Sequence, residues 1–348
     1  MRYYTQAIDG HWELLRKREP IAELLRSGTL APELRARLEL LTEVRRFAVS
    51  ALALPDNDSY TSYVDLQRDF VVWNVFAAPE FSLDLHESCF LFVGCLSYRG
   101  FFAQDDATAY AAGLRQQGYD TYIGGVAAYS TLGWFDDPLL STMLRWETPR
   151  LIKVMLHELA HQVVYLRGDT AFNEAFATAV AEQGYRRWLA HTGNAANAES
   201  PDSERREADF IELVLSERGA LAGIYASGES SEAMRTRKAA TFAELEQRYA
   251  GWRARWNDYR GYDDFTTGLN NAKIASLVAY HDRVPAFEAI LAGVDYDFAA
   301  FYRLIKEFRH VPKAERDACL HSLTDASPVS ACPALATNKT VRKLIARN

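Results

Sequence analysis

Apolar positions recur with helical spacing through most of this chain. The clearest case is Ile152, Leu156, Leu159, Ala160 and Val163, at i, i+4, i+7, i+8 and i+11, which predicts a helix burying one stripe. Pro149 suits its start and Gly168 its stop. Residues 11–26 and 31–52 read as two amphipathic helices separated by Ser27-Gly28 and Pro32. The run Leu54-Pro55-Asp56-Asn57-Asp58 breaks that pattern and opens a β-rich region. There 60–65 and 70–77 are expected to form a hairpin, 90–93 and 122–130 to be further strands, and 105–117 to be a helix closed by Gly118. Beyond Trp188 the chain becomes charged. Residues 194–206 read as a surface loop, and 207–226 with 231–257 as an antiparallel helical pair with a solvated charged face. Shorter helices are expected over 270–280, 285–292 and 298–309. The expected class is α+β and mostly helical, with a small mixed sheet. One unit is expected, ordered as N-terminal helices 1–55, a sheet region 56–135, a helix pair 136–192 and a C-terminal helical layer 193–348. Neither an internal repeat nor a low-complexity linker interrupts it.

The stripe helix carries the candidate chemistry. Leu156-His157-Glu158-Leu159-Ala160-His161 has the H-E-x-x-H pattern. Four residues apart, His157 and His161 lie on one helix face, so two imidazole nitrogens can reach one metal ion. Glu158, about 100° further round, can reach a water on that ion. Gly168-Asp169-Thr170 reads as a turn with Asp169 as N-cap, followed by a second helix through Phe172 and Ala177. In an antiparallel hairpin His161 would lie about 10 Å below the turn and Glu174 about 9 Å, nearly level, whereas Glu182 at about 21 Å would miss. Two His and one Glu, with a fourth position left to water, form the ligand set of a catalytic zinc. The alternative is a core helix with two satisfied histidines.

Composition narrows the picture. An apolar content of 49% in 348 residues is ample for a real core. A net charge of −7 without a basic block argues against nucleic acid as a partner. No run of 18 apolar residues appears, so no membrane-spanning segment is expected. The opening Met1-Arg2-Tyr3-Tyr4-Thr5-Gln6 has no signal-peptide core, which leaves a cytoplasmic protein or one whose export or lipid-anchor segment lies outside the numbered chain. Cys89 with Cys95, and Cys319 with Cys332, are either two local disulfides of an oxidising compartment or four buried thiols.

His-Glu-Leu-Ala-His followed by Phe-Asn-Glu-Ala-Phe-Ala resembles the gluzincin zinc metallopeptidases, whose third ligand is the Glu of an Asn-Glu motif on the next helix. Twelve residues separate His161 from Glu174, a shorter gap than in the aminopeptidase N type. Longer blocks resemble the bacterial predicted aminopeptidases, often found as envelope lipoproteins. They include YYTQAIDGHWELL, YTSYVDLQRDFVVWNVFAAPEFSL, GCLSYRGFF, GYDTYIGGVAAYSTLGWFDDPLLSTM and LNNAKIASLVAYHDRVPAF. The resemblance implies a thermolysin-like core, one Zn²⁺ per chain on His157, His161 and Glu174, and Glu158 as general base. It also implies a peptide substrate and a periplasmic or envelope-anchored location after an export segment, with cytoplasm as the alternative. In gluzincins a substrate peptide pairs with a sheet-edge strand beside the metal, which points to Gly125, Val126, Ala127 and Tyr129; an ordinary central strand with a glycine bulge is the other reading. Tyr280, with His281 beside it, is the candidate oxyanion donor, and Tyr165 and Tyr129 are further candidates. No counterpart of the Gly-x-Met-Glu-Asn element of aminopeptidase N is found, so amine recognition is unassigned. The expected activity is a zinc peptidase, as an aminopeptidase before an endopeptidase. A different class of reading is an envelope peptide-binding protein with little turnover, which would not need the carboxylate of Glu158.

Overall fold

Mostly helical with small mixed sheets, the chain is α+β, as its patterning predicts. The computed structural model describes residues 2–90, 94–194, 198–281 and 283–324. Its first half runs α1 (Arg2–Arg16), β1 (Glu19–Pro20), α2 (Ile21–Ser27), α3 (Pro32–Leu52), β2 (Ser62–Val64), β3 (Val72–Pro79), β4 (Ser88–Phe90), β5 (Gly94–Leu96), β6 (Arg99–Phe101), α4 (Gln104–Gln116) and β7 (Tyr119–Val126). There follow β8 (Leu139–Leu140), α5 (Thr148–His161), α6 (Thr170–Thr192), α7 (Pro201–Tyr225), α8 (Ser231–Arg255), α9 (Asp263–Thr266), α10 (Asn271–His281), α11 (Val284–Ala292), α12 (Phe298–Glu307) and α13 (Lys313–Thr324). No helix among the described residues is long and apolar enough to cross a membrane.

The chain divides into two compact units, each built from separated segments. The first holds residues 1–72, 126–198 and 282–348; the second holds 73–125 and 199–281. The segment expected as one C-terminal layer is therefore shared, with α7 to α10 in the second unit and α11 to α13 in the first.

In the first unit the core is α6. Phe172, Ala175, Phe176, Ala179, Val180, Tyr185 and Trp188 bury it on nearly every side, as befits a central helix with no solvent stripe. Gly184 is required there by close packing. A Cβ would meet Leu52 at 2.8 Å and Leu156 at 3.0 Å, both fully buried. A three-stranded sheet, β1-β2-β8, lies in the same unit, with β1 antiparallel and β8 parallel to β2.

The second unit has a sheet in the order β6-β3-β7, so β7 is an edge strand among the described residues. Its helical part is the α7–α8 pair, whose buried residues Phe210, Leu213, Val214, Leu221, Leu245, Tyr249 and Trp256 pack with Ile274 of α10. Polar side chains tie α10 to the sheet. The Asn271 amide donates to the carbonyls of Pro79, Glu80 and Ser82, and Asn270 donates to the Thr121 carbonyl. Lys273, buried, donates to the carbonyls of Asp264 and Thr267.

Several local expectations are corrected. The predicted 60–77 hairpin does not form: β2 pairs with β1 and β8, and β3 pairs with β6 and β7. The Asp65 carboxylate accepts from the Gln67 N–H, and Gln67 at φ 52° turns the chain away between them. The helix expected over 11–26 is interrupted by β1, because Glu19 and Pro20 pair with Tyr63 and Ser62. The strand expected over 122–130 begins earlier and ends at Val126. The helix α7 starts at Pro201, capped by Ser200, inside the expected loop. Across β4 and β5, Cys89 and Cys95 lie opposite and form a disulfide. Cys319 is disulfide-bonded as well, and Cys332 lies outside the described residues.

Replacing Gly184 with Val should lower unfolding stability by about 1–3 kcal/mol, because Leu52 and Leu156 have no room to yield. A denaturant titration checks this: the midpoint falls and the slope stays constant.

Candidate metal centre

The helix α5 starts with Pro149 in its first turn and buries Leu151, Ile152, Met155, Leu156, Leu159 and Ala160. It stops at His161, short of the expected Gly168. The cause is tertiary. The Asn173 side chain of α6 accepts from the Leu166 N–H at 2.7 Å and donates to the Leu166 carbonyl at 2.8 Å, taking both backbone groups a longer helix would need. Gly168, at φ 78°, then turns the chain, and Asp169 caps α6 by accepting from the Phe172 N–H at 3.3 Å.

Side-chain pairs show that α5 and α6 run antiparallel. His161 and His157 face Glu174, and Lys153 pairs with Glu182 at 2.9 Å, eight residues further along both helices. Glu174 is thus level with the histidines, and Glu182 is engaged elsewhere.

Three donor atoms converge. His157 Nε2 lies 3.1 Å from His161 Nε2 and 3.1 Å from Glu174 Oε2, and His161 Nε2 lies 3.7 Å from Glu174 Oε2. Ligand bonds of about 2.0–2.2 Å in tetrahedral array place donors roughly 3.4 Å apart, so this triangle has the size one ion needs. The three residues could hold a metal ion. The side chain of His157 is 16% exposed, against 6% for His161 and 11% for Glu174, so the site opens to solvent on the His157 side.

Charge is balanced inside this group. Burial opposes ionisation of Glu174, but His161 and His157 outweigh it and hold the carboxyl down at about 2. Burial also disfavours a charged His161, and the Glu174 carboxylate beside it more than compensates, raising its pKa. For Glu158, burial pushes the carboxyl up and the Glu174 charge adds to it, while the two histidines and a Ser130 hydrogen bond work against it. The net shift of Glu158 is upward.

Of the other sequence-predicted residues, Gly125 and Val126 end β7, and Ala127 and Tyr129 lie past it. The Val126 carbonyl accepts from the Val71 N–H at 2.9 Å, and the Ala127 carbonyl accepts from Thr142 Oγ1 at 2.5 Å. Tyr129 makes a ring contact with His11. Tyr165 senses the Glu174 charge, and burial first, with that charge second, pushes its hydroxyl up to about 12. The side chains of Tyr280 and His281 lie outside the described residues.

A model of the putative aminopeptidase family matches residues 2–320. The chain belongs to that family. No curated protein and no solved structure matches it significantly.

Sequence reasoning missed what supports this family member's helix pair from outside. Asp169, 1% exposed, accepts from Arg316 of α13 at 2.6 and 3.0 Å, with Arg283 at 3.9 Å and Lys313 at 3.8 Å. The only local signal was a capping Asp; the arginine lies 147 positions away. Removing one member of a buried pair strands the other, so Asp169→Ala should cost about 3–5 kcal/mol. The loss should appear as a lowered melting temperature, since the same residue caps α6.

Proposed function

We propose that this chain is a zinc-dependent aminopeptidase that hydrolyses peptide bonds with water, Glu158 acting as general base. One observation carries the proposal: two imidazoles and a carboxylate converge to within 4.8 Å, with Glu158 next to them on α5. That donor set fits a catalytic zinc and is not the thiolate-rich set of a structural one. The aminopeptidase form rests on the family, and the motif pair supports a gluzincin-like core.

His157, His161 and Glu174 would hold the ion. When bound, zinc supplies a Lewis acid that polarises a carbonyl and eases deprotonation of water. Glu158 takes the proton of the attacking water and returns it to the departing nitrogen. It sits beside both histidines on α5, within reach of a water at the site. Glu174 is turned toward the histidines as the third ligand and does not share that role. For the oxyanion, Tyr165 is favoured by its nearness to Glu174, with Tyr280 as the candidate from the sequence. Peptide backbone would pair along Gly125, Val126, Ala127 and Tyr129, a role that rests on the gluzincin resemblance.

Periplasmic or envelope-anchored location is part of the same proposal, with a lipid anchor as one means of attachment. The Cys89–Cys95 disulfide and the bonded Cys319 support it, because such bonds persist in oxidising compartments. Denatured, unreduced protein should then give no free thiols on titration; four free thiols would place it in the cytoplasm.

Protein purified without added metal should carry one zinc by elemental analysis. His157→Ala and Glu174→Ala should lose it, and full retention in the Glu174 variant would remove that residue from the ligand set. Glu158→Gln should keep fold and metal but lose turnover by about 10²–10⁴, the usual worth of a general base. If the wild type binds peptides from a diverse library and cuts none, an envelope peptide-binding protein replaces the enzyme.

A further inference from the structure

A short loop of the first unit shows two large aromatic side chains to solvent. Trp134 is 71% exposed and Phe135 52%. Scattered apolar residues are ordinary on a surface, but a Trp beside a Phe on one tight loop is the kind of feature that carries binding. From Ser130 to Phe135 the chain bears no charged side chain. The loop is closed on itself. Thr131 Oγ1 accepts from the Phe135 N–H and donates to the Phe135 carbonyl, both at 3.0 Å, and the Trp134 N–H donates to the Thr131 carbonyl at 3.1 Å. Leu132 at φ 57° and Gly133 at φ 81° make the turn. The Thr131 N–H donates to the Asp137 carboxylate at 2.9 Å, and Arg18 donates to the Asp136 carbonyl at 3.0 Å. The His11 ring backs Phe135, with centroids 4.7 Å apart. The backbone under the aromatic pair is therefore fixed in advance, which lowers the ordering cost of binding.

The same loop lies against the end of the helix that carries Glu158. A Cβ at Gly133 would meet Cβ and Cγ of Gln162 at 3.5 Å. Gln162 is itself pinned: Asn57 donates to its amide oxygen at 2.8 Å, and its amide nitrogen donates to Ser59 Oγ at 3.1 Å. Gln162 keeps right-handed helical angles just past α5, so it stands one turn beyond Glu158 on the same face. Cβ atoms one turn apart are about 5–6 Å from each other, which puts Gly133 within about 10 Å of the root of the Glu158 side chain. Extended peptide covers that distance in about three residues. Trp134 and Phe135 follow Gly133 directly, at the rim of the face from which Glu158 would work.

We propose that Trp134 and Phe135 form an apolar subsite that receives a large aliphatic or aromatic side chain of the substrate peptide, within about three residues of the bond that is cut. The inference rests on the peptidase reading above and names its substrate class. Seating such a side chain takes apolar surface of both partners out of water. A charged side chain gains nothing there, because residues 130–135 offer it no counter-charge and the bordering Arg18 is engaged with the Asp136 carbonyl. Position selects a peptide as the occupant over a bilayer or a second copy of the chain. The aromatic pair stands on the loop fastened beside the Glu158 face, whereas the exposed Tyr4, Ile8 and Trp12 lie on α1.

A peptide library digested by the protein as purified should show Leu, Phe and similar residues enriched over Ser, Asn and Gly close to each cut. For two peptides that differ only there, Phe against Ser, the ratio of kcat/KM should be about 10- to 100-fold. In Trp134→Ala and Phe135→Ala that ratio should fall by about 5- to 20-fold, while Trp134→Phe, which keeps an apolar ring, should retain most of it. Trp12→Ala, an equally exposed change on α1, should leave the ratio as it is. Zinc content and melting temperature should not move in any of these variants, since the side chains are exposed. A second readout needs no turnover. In a Glu158→Gln background, calorimetric affinity for the Phe peptide should drop with Trp134→Ala, and affinity for the Ser peptide should not. An unchanged ratio in Trp134→Ala, or an equal loss for both peptides, overturns the proposal. So does Trp134-dependent binding to lipid vesicles, or dimerisation lost in Trp134→Ala, without any peptide preference. Should the wild type bind peptides and cut none, the peptidase reading fails while the affinity comparison still decides whether this loop selects apolar side chains.

Discussion

The candidate metal centre depends on the register of α5 against α6. A slip of one residue on either helix turns a side chain by about 100° and carries its donor atom out of reach. The Asn173 amide holds that register by bonding both backbone groups of Leu166, which ends α5 at His161 and sets the length of the connecting turn. Glu174, the next residue, then arrives level with the two histidines. Lys153 and Glu182 repeat the same alignment eight residues along, so the register is fixed at two levels. Packing sharpens it further: Gly184 lets α6 approach closely enough for Leu52 and Leu156 to press against its backbone.

Three buried carboxylates of the first unit meet three different environments, and each difference has a consequence. Asp169 is surrounded by Arg316, Arg283 and Lys313 and ties the turn of the helix pair to α13. Glu174 is neutralised by imidazoles, which keeps it ionised and available as a ligand. Asp137 has neither cation nor imidazole beside it among the described residues, its hydrogen bonds come from Thr131 and Ser130, and burial displaces its carboxyl upward. Burying a charge without a counter-ion is costly, so the first two environments read as scaffold and ligand sphere. The third is held by neutral donors alone.

The second unit uses polar residues differently. Asn270, Asn271 and Lys273 sit in one of the longest recognisable blocks of the sequence, yet every one of them is engaged with backbone carbonyls. They satisfy strand and loop ends that would otherwise be buried without donors. Their place in the block is thus accounted for by hydrogen bonds, and no chemistry has to be assigned to them.

The sequence by itself determined the helix carrying His157, Glu158 and His161, because a helical stripe and a four-residue spacing are local properties. It also determined Glu174, since counting depth on both sides of a turn needs only the rise per residue; overestimating the length of α5 did not matter, because Asn173 closes the turn where both residues stay level. The α+β class and the α7–α8 pair followed from periodicity alone. Strand pairing did not. Whether 62–64 joins 72–79 or instead joins Glu19 and Leu139 depends on partners far away in the chain, and the alternation of apolar residues is the same in both cases. Tertiary structure alone likewise brought Arg316 to Asp169, and Asp137 to Ser59. A buried carboxylate and a surface one look identical in sequence, and what separates them is which groups, tens or hundreds of residues away, the folded chain places against them.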